Sequence, residues 1–244
     1  MGELWHGFEK KEFTFEGRRA VLVFPKQADA EKNWTLKTEY WGAFPEVETA
    51  LLENGFHAAY LENTSRFATP ADCDAKAWFA EFLQREYGLN PKCVPVGMSC
   101  GGACAVNFAG RYPEKVRCMY LDAPVLNFCD YPGRLGNAEC ESVWEKEFVK
   151  AYPGITRARL LSFDNHPLHY IDVLKAHRIP ILMLYGVEDQ TVFYHSNGAL
   201  MELEYEDSKE LLTVLPRMAQ GHHPHGGFAK DQQAVVDFIL RHSK

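Results

Sequence analysis

The sequence predicts an α/β fold: a mostly parallel, twisted sheet of about eight strands with helices on both faces. Three observations predict it. Short runs that are apolar nearly throughout, residues 19–25, 57–61, 92–97 and 179–185, recur along the chain. Helix-like segments alternate with them, and a strand buried on both faces reads as such a continuous run, with no polar alternation. The 244 residues, 46% hydrophobic and 24% charged, match one domain of the larger α/β kind, spanning 1–244 with its own core.

The elements follow in order. Residues 13–15 alternate and read as an early edge strand, hairpinned with residues 4–8. Residues 19–25 form a buried strand. After a loop, residues 44–54 read as a helix stopped by Gly55, and 71–87 as a helix stopped by Gly88, with Asp72 or Asp74 as its cap. Between them lies the strand 57–61. Strand 92–97 leads into a helix from about residue 100, followed by strands at 116–121 and 179–185. A helix near 195–206, a strand at 211–215 and a helix at 231–241 complete the chain. From 126 to 165 no strand pattern appears, only the loop 131–137 and helix-like pieces around 143–151. That gap far exceeds an ordinary connection and predicts a small helical cap over the sheet edge.

Bulk properties exclude several function classes. A formal net charge of −7 argues against nucleic acid or an anionic membrane as the main partner. No apolar stretch approaches the roughly 18 residues of a membrane span. The N-terminus lacks an apolar signal core, and His6 stands where a myristoylation pattern needs Ser or Thr. The expected location is cytoplasmic, or periplasmic or secreted if a signal peptide has been removed. Seven cysteines (73, 93, 100, 104, 118, 129, 140) lack paired spacing and read as reduced, mostly buried thiols. With no C-x-x-C pair, no metal site is expected.

The chemistry begins at Gly97-Met98-Ser99-Cys100-Gly101-Gly102, between a strand and a helix. A serine at such a corner is pushed out of the main chain in a strained turn, and its neighbours at two residues on either side must be small. It also sits at a helix N-terminus, which favours developing negative charge. Such a nucleophile needs a base, and the base needs an acid to fix its tautomer. Gly186-Val187-Glu188-Asp189-Gln190-Thr191-Val192 places Asp189 after a late strand. Gly221-His222-His223-Pro224-His225-Gly226 places three histidines after the last one. His222 is the first choice of base, with His225 and then His223 behind it.

In the order Ser99…Asp189…His222 the chain resembles the α/β-hydrolase superfamily over nearly its whole length. The Ser99 motif is similar to its nucleophile elbow and the Asp189 motif to its G-x-x-D-x-x-V acid turn. The His-His-Pro-His loop, with Trp34 and Tyr40-Trp41-Gly42, resembles one bacterial esterase-like subgroup that often accompanies carbohydrate-degrading enzymes. Cys100 departs from that subgroup, where arginine often follows the nucleophile. The resemblance implies ester groups on sugars as substrates.

The Cys100 N–H is the expected oxyanion donor, and the second comes from the loop after strand 19–25, at Lys26 or Gln27. Trp34, Tyr40 and Trp41 either wall the substrate site or pack beneath the cap, and the aromatic residues of the insertion pose the same choice. Lys37 and Glu39 read as surface charge. The reading is a serine hydrolase that cleaves a small-molecule or oligosaccharide ester without cofactor or metal. A peptidase or acyltransferase with the same triad, or a non-catalytic binding module, are the alternatives, and a homodimer would bury exposed aromatics.

Overall fold

The structure, a computed structural model, describes residues 3–134 and 141–243. Its sheet has nine strands: β1 (Glu3–Trp5), β2 (Phe8–Phe15), β3 (Arg18–Phe24), β4 (Trp34–Lys37), β5 (His57–Leu61), β6 (Val94–Met98), β7 (Met119–Asp122), β8 (Ile181–Gly186) and β9 (Leu212–Arg217). They lie in the order β1-β2-β3-β5-β4-β6-β7-β8-β9. The run from β5 through β4, β6, β7 and β8 to β9 is parallel, and β3 is antiparallel to both its neighbours. All six parallel strands therefore end at one edge, where loops can gather chemistry.

Helices cover both faces. On one side α2 (Pro70–Tyr87) and α3 (Cys100–Arg111) bury Ala75, Phe79, Leu83, Val106 and Phe108 against the sheet. On the other, α1 (Glu46–Glu53) and a C-terminal helix (Ala229–His242) supply Val47, Leu51, Val235 and Ile239. The α3 helix is the central one. All but the last of its residues are buried, and most of them are Ala, Gly or Cys, whose small side chains let the helix pack closely. No helix among the described residues is long and apolar enough to cross a membrane.

Three local expectations are corrected. The strand β4 was absent from the pattern because it is four residues long and includes Thr35 and Lys37, yet all four are buried. It raises the strand count from about eight to nine. Lys37 is no surface charge: only 2% exposed, it pairs with the equally buried Glu48 at 2.8 Å. The cap of α2 is Thr69, whose hydroxyl accepts the Asp72 N–H, so Asp72 lies inside the first turn.

Between β7 and β8 the described residues contain only helical segments: the turns Glu141–Val143, Trp144–Phe148, Val149–Ala151, Arg157–Leu160 and Pro167–Tyr170, then α4 (Ile171–Ala176). Phe128, Trp144 and Phe148 pack with Phe67, Cys100 and Cys104, so these insertion rings form a core of their own over the nucleophile helix. Residues 135–137 of the expected loop, and Cys140, lie outside the described residues. Cys73, Cys93, Cys100, Cys104 and Cys118 are buried free thiols and Cys129 is partly buried.

Candidate active site

Ser99 occupies the turn between β6 and α3 with φ 52° and ψ −122°, a conformation strained for any side chain. The turn needs glycine two residues earlier: a β-carbon on Gly97 would lie 2.5 Å from the Gly101 carbonyl oxygen. Neighbouring main chain fixes the corner. The Ser99 N–H donates to the Asp122 carbonyl at 3.0 Å, and the Ser99 carbonyl accepts from Gly102 and Val125, each at 2.9 Å. The hydroxyl is thereby lifted out of the main chain at the parallel edge of the sheet.

Two further strand ends bring partners to it. Beyond β8, Asp189 is 5% exposed and accepts the N–H groups of Thr191 at 2.8 Å and Val192 at 2.9 Å. Burial alone would raise its carboxyl, but hydrogen bonds from His222 and these N–H groups outweigh it and hold the group below its ordinary value. Beyond β9, His222 Nδ1 lies 2.7 Å from Asp189 Oδ2, and its Nε2 lies 3.0 Å from Ser99 Oγ. An ionised carboxylate can only accept, so Nδ1 carries the proton and Nε2 offers its lone pair to the serine hydroxyl.

The other two histidines separate cleanly. His223 is exposed at the cleft mouth. His225 is fully buried, with Nδ1 2.5 Å from Asp122 Oδ1, and it makes a second histidine–carboxylate pair. Only His222 reaches Ser99. The sequence marked all three as candidates but carried no sign of Asp122, because an aspartate at a strand end has no distinguishing neighbours.

The remaining expectations divide. Ser99 and His222 open into a cleft of about 460 Å³ walled by Tyr40, Phe44, Met98 and Tyr131, with Arg66 at its rim. Arg66 is held by Glu147 of the insertion at 2.6 and 2.8 Å and donates to the Tyr40 hydroxyl at 3.2 Å. Trp34 is not in this cleft: it is 1% exposed at the start of β4, with its indole N–H bonded to the Asn90 carbonyl. Trp41 also faces away, stacked between Trp5 at 4.9 Å and Tyr60 at 5.7 Å.

Gln27 is excluded as an oxyanion donor by topology. It follows the antiparallel β3 and lies against Gly55, just before β5, so it sits at the opposite edge of the sheet from Ser99. The loop that does reach the nucleophile follows β4. There Thr38 Oγ1 donates to the Gly101 carbonyl at 2.7 Å, and Tyr40 has φ 56°. The Cys100 side chain lies away from solvent at the start of α3. Its thiol is fully buried, and burial pushes it up to about 11.

Residues 27–168 match the family described as the alpha/beta hydrolase fold. No curated protein matches the chain in sequence. Among solved structures it is similar to the Pyrococcus horikoshii acylaminoacyl peptidase, at 13% identity and TM-score 0.73, over 96% of this chain and 42% of that one. It thus spans about two-fifths of that peptidase's length. It is also similar to Est1E from Butyrivibrio proteoclasticus, at 13% identity and TM-score 0.67, covering 96% of this chain and 98% of that one. A third is the S-formylglutathione hydrolase (FrmB) from Staphylococcus aureus, at 14% identity and TM-score 0.66, covering 97% and 98%.

Proposed function

The chain belongs to the alpha/beta hydrolase fold family, and we propose that it is a serine hydrolase that cleaves carboxylic esters through a covalent acyl-enzyme. One observation carries this reading: a single imidazole, His222, bonds Ser99 Oγ through one nitrogen and the buried Asp189 through the other. As Ser99 attacks the ester carbonyl, His222 Nε2 takes its proton. Asp189 steadies the imidazolium that results. The tetrahedral intermediate expels the alcohol as His222 returns the proton to it, and water reverses the sequence to free the acid.

The developing oxyanion needs main-chain donors, each worth about 10²–10³ in rate. Cys100 N–H is one, by its place directly after Ser99. Tyr40 N–H in the loop after β4 is the second in this reading. Among the described residues it donates to Glu39 Oε1, at a long 3.3 Å, a contact that an oxyanion would displace.

The finer reading is an acyl group on a carbohydrate. It is supported by a polar groove of about 640 Å³ beyond Arg66, lined by Glu39, Asn63, Thr64, Ser65, Lys146 and Lys150. Such hydroxyl, amide and charged groups suit a hydroxyl-rich alcohol portion, while the apolar cleft suits an acyl group. Similarity to Est1E and to an S-formylglutathione hydrolase over nearly their full lengths is compatible with an ester or thioester.

A substrate panel tests this directly: p-nitrophenyl acetate, acetylated xylose and glucose, and an aminoacyl p-nitroanilide. Turnover of the aryl ester and the acetylated sugars is expected, with the anilide slower. Anilide cleavage at an equal or higher kcat/KM would replace the ester assignment with a peptidase.

A further inference from the structure

Asp122, at the end of β7, touches both halves of the site. Its main-chain oxygen accepts the Ser99 N–H at 3.0 Å. Its carboxylate lies under the histidine loop, with Oδ1 2.5 Å from His225 Nδ1. Oδ2 accepts the Gly226 N–H at 3.0 Å and the Tyr120 hydroxyl at 2.5 Å. Neither the Asp122 nor the His225 side chain has any exposed surface.

The loop it holds runs from the end of β9 at Arg217 to the C-terminal helix at Ala229, and His222 sits near its middle. Upstream of His222, the Gln220 carbonyl is fixed by the Glu188 N–H at 2.8 Å. Downstream, the anchor is Asp122, through His225 and Gly226. His222 is therefore bracketed: one anchor stands beside the turn that holds Asp189, the other on the residue that holds Ser99. A buried histidine–carboxyl pair is a costly way to fill space, because both polar groups lose their hydration. An apolar pair would pack the same volume without that cost. Directional hydrogen bonds fix a loop's position in a way that apolar contacts do not.

We infer that Asp122 and His225 form a positioning pair that sets the reach of His222 to Ser99. They act through His222 and contact no reacting atom. The inference rests on the triad reading above, and it places a second histidine–aspartate pair in service of the first. It also accounts for His225 being buried while His223, two residues away, is exposed.

The test compares wild type with Asp122→Asn, His225→Ala and His225→Asn, whose amide nitrogen can stand where Nδ1 does. Each is assayed for aryl-ester kcat and KM, and for the rate at which a fluorophosphonate labels Ser99. Near-ultraviolet circular dichroism reports the fold. Positioning predicts a kcat loss of about 100-fold in His225→Ala with KM within about threefold, since a displacement near 1 Å costs that much. Labelling should slow in step, and His225→Asn should recover about tenfold of the loss. A folded His225→Ala with wild-type kcat would overturn the inference, as would a loss confined to KM.

If His225→Ala fails to fold, Tyr120→Phe decides. It removes one donor to Asp122 while keeping the ring, and a kcat loss of about fivefold is expected. Unchanged kcat there overturns the pair's role. Failure of the triad reading looks different, because wild-type Ser99 would then not be labelled at all, and the positioning role would fall with it.

Discussion

Gly186 and Gly221 meet main chain to main chain where the acid strand passes under the histidine loop. A β-carbon on Gly186 would fall 2.2 Å from the Gly221 carbonyl oxygen and 2.4 Å from that of Gln220. Both obstacles are backbone, which cannot swing aside as a side chain can. The close approach puts Asp189, three residues beyond Gly186, beside His222, directly after Gly221.

Gly186→Ala should therefore push the loop away from the acid. Overpacking of this kind costs about 1–3 kcal/mol. The catalytic cost should be larger, about 100-fold in kcat, because the shift acts on the Asp189–His222–Ser99 line. Urea denaturation and ester kinetics on the same preparation separate the two.

Asp189→Asn should preserve the fold and substrate binding while lowering kcat about 10⁴-fold, as an amide no longer enforces the tautomer of His222. The check is kcat and KM side by side. A parallel rise in KM would mean that Asp189 shapes the cleft and not the base.

Cys100→Ala should leave kcat within about threefold of wild type, since the expected oxyanion donor is the main-chain N–H and alanine keeps it. Iodoacetamide at pH 8 should not inactivate the native protein: the thiol is buried and raised to about 11, so it is protonated there. Rapid inactivation with alkylation mapped to Cys100 would make it a competing nucleophile.

Asp72 carries a separate, purely structural prediction. Buried at 1% exposure, it accepts from Arg18 at 2.6 Å, from Thr64 N–H at 2.7 Å and from Thr69 Oγ1 at 2.6 Å. Burial alone would raise its carboxyl, but the bonds from Thr69, Thr64 and Arg18 outweigh it and hold the group below its ordinary value. A carboxyl depressed in the folded state contributes stability that is complete above its unfolded pKa, about 4, and is lost as pH falls through the folded value. Asp72→Ala should cost about 3 kcal/mol at pH 7, because Arg18 loses its carboxylate partner and keeps only the Glu62 carbonyl, while the loop donors are left unpaired. Its deficit should shrink as pH falls below about 4. Urea midpoints at pH 7 and pH 3 measure both.

Much of this fold was legible because its signals are local. The continuous apolar runs that became β3, β5, β6 and β8 declare burial on both faces, and the Gly-x-Ser-x-Gly spacing declares the close approach of Gly97 to Gly101. Asp189 and the histidine loop were legible from strand order alone. What was not legible depends on pairing between distant segments. The strand β4 is too short to show a pattern, and its buried Lys37 reads as surface until Glu48 is brought to it. Gln27 was placed by chain order after an early strand, and only the sheet order shows that this strand runs the opposite way. Trp34 and Trp41 share a composition with Tyr40, yet only Tyr40 faces the cleft. Asp122 left no trace at all, because its role exists only once Ser99 and His225 are on either side of it.

The most direct test of the central claim is mass-spectrometric mapping of a fluorophosphonate adduct on the folded protein, with Ser99→Ala and His222→Ala alongside. A single adduct on Ser99 is expected, with no adduct and at least a 10³-fold loss of aryl-ester turnover in Ser99→Ala, and strongly slowed labelling in His222→Ala. An adduct at another residue, or a Ser99→Ala protein that keeps full esterase activity, would contradict the claim.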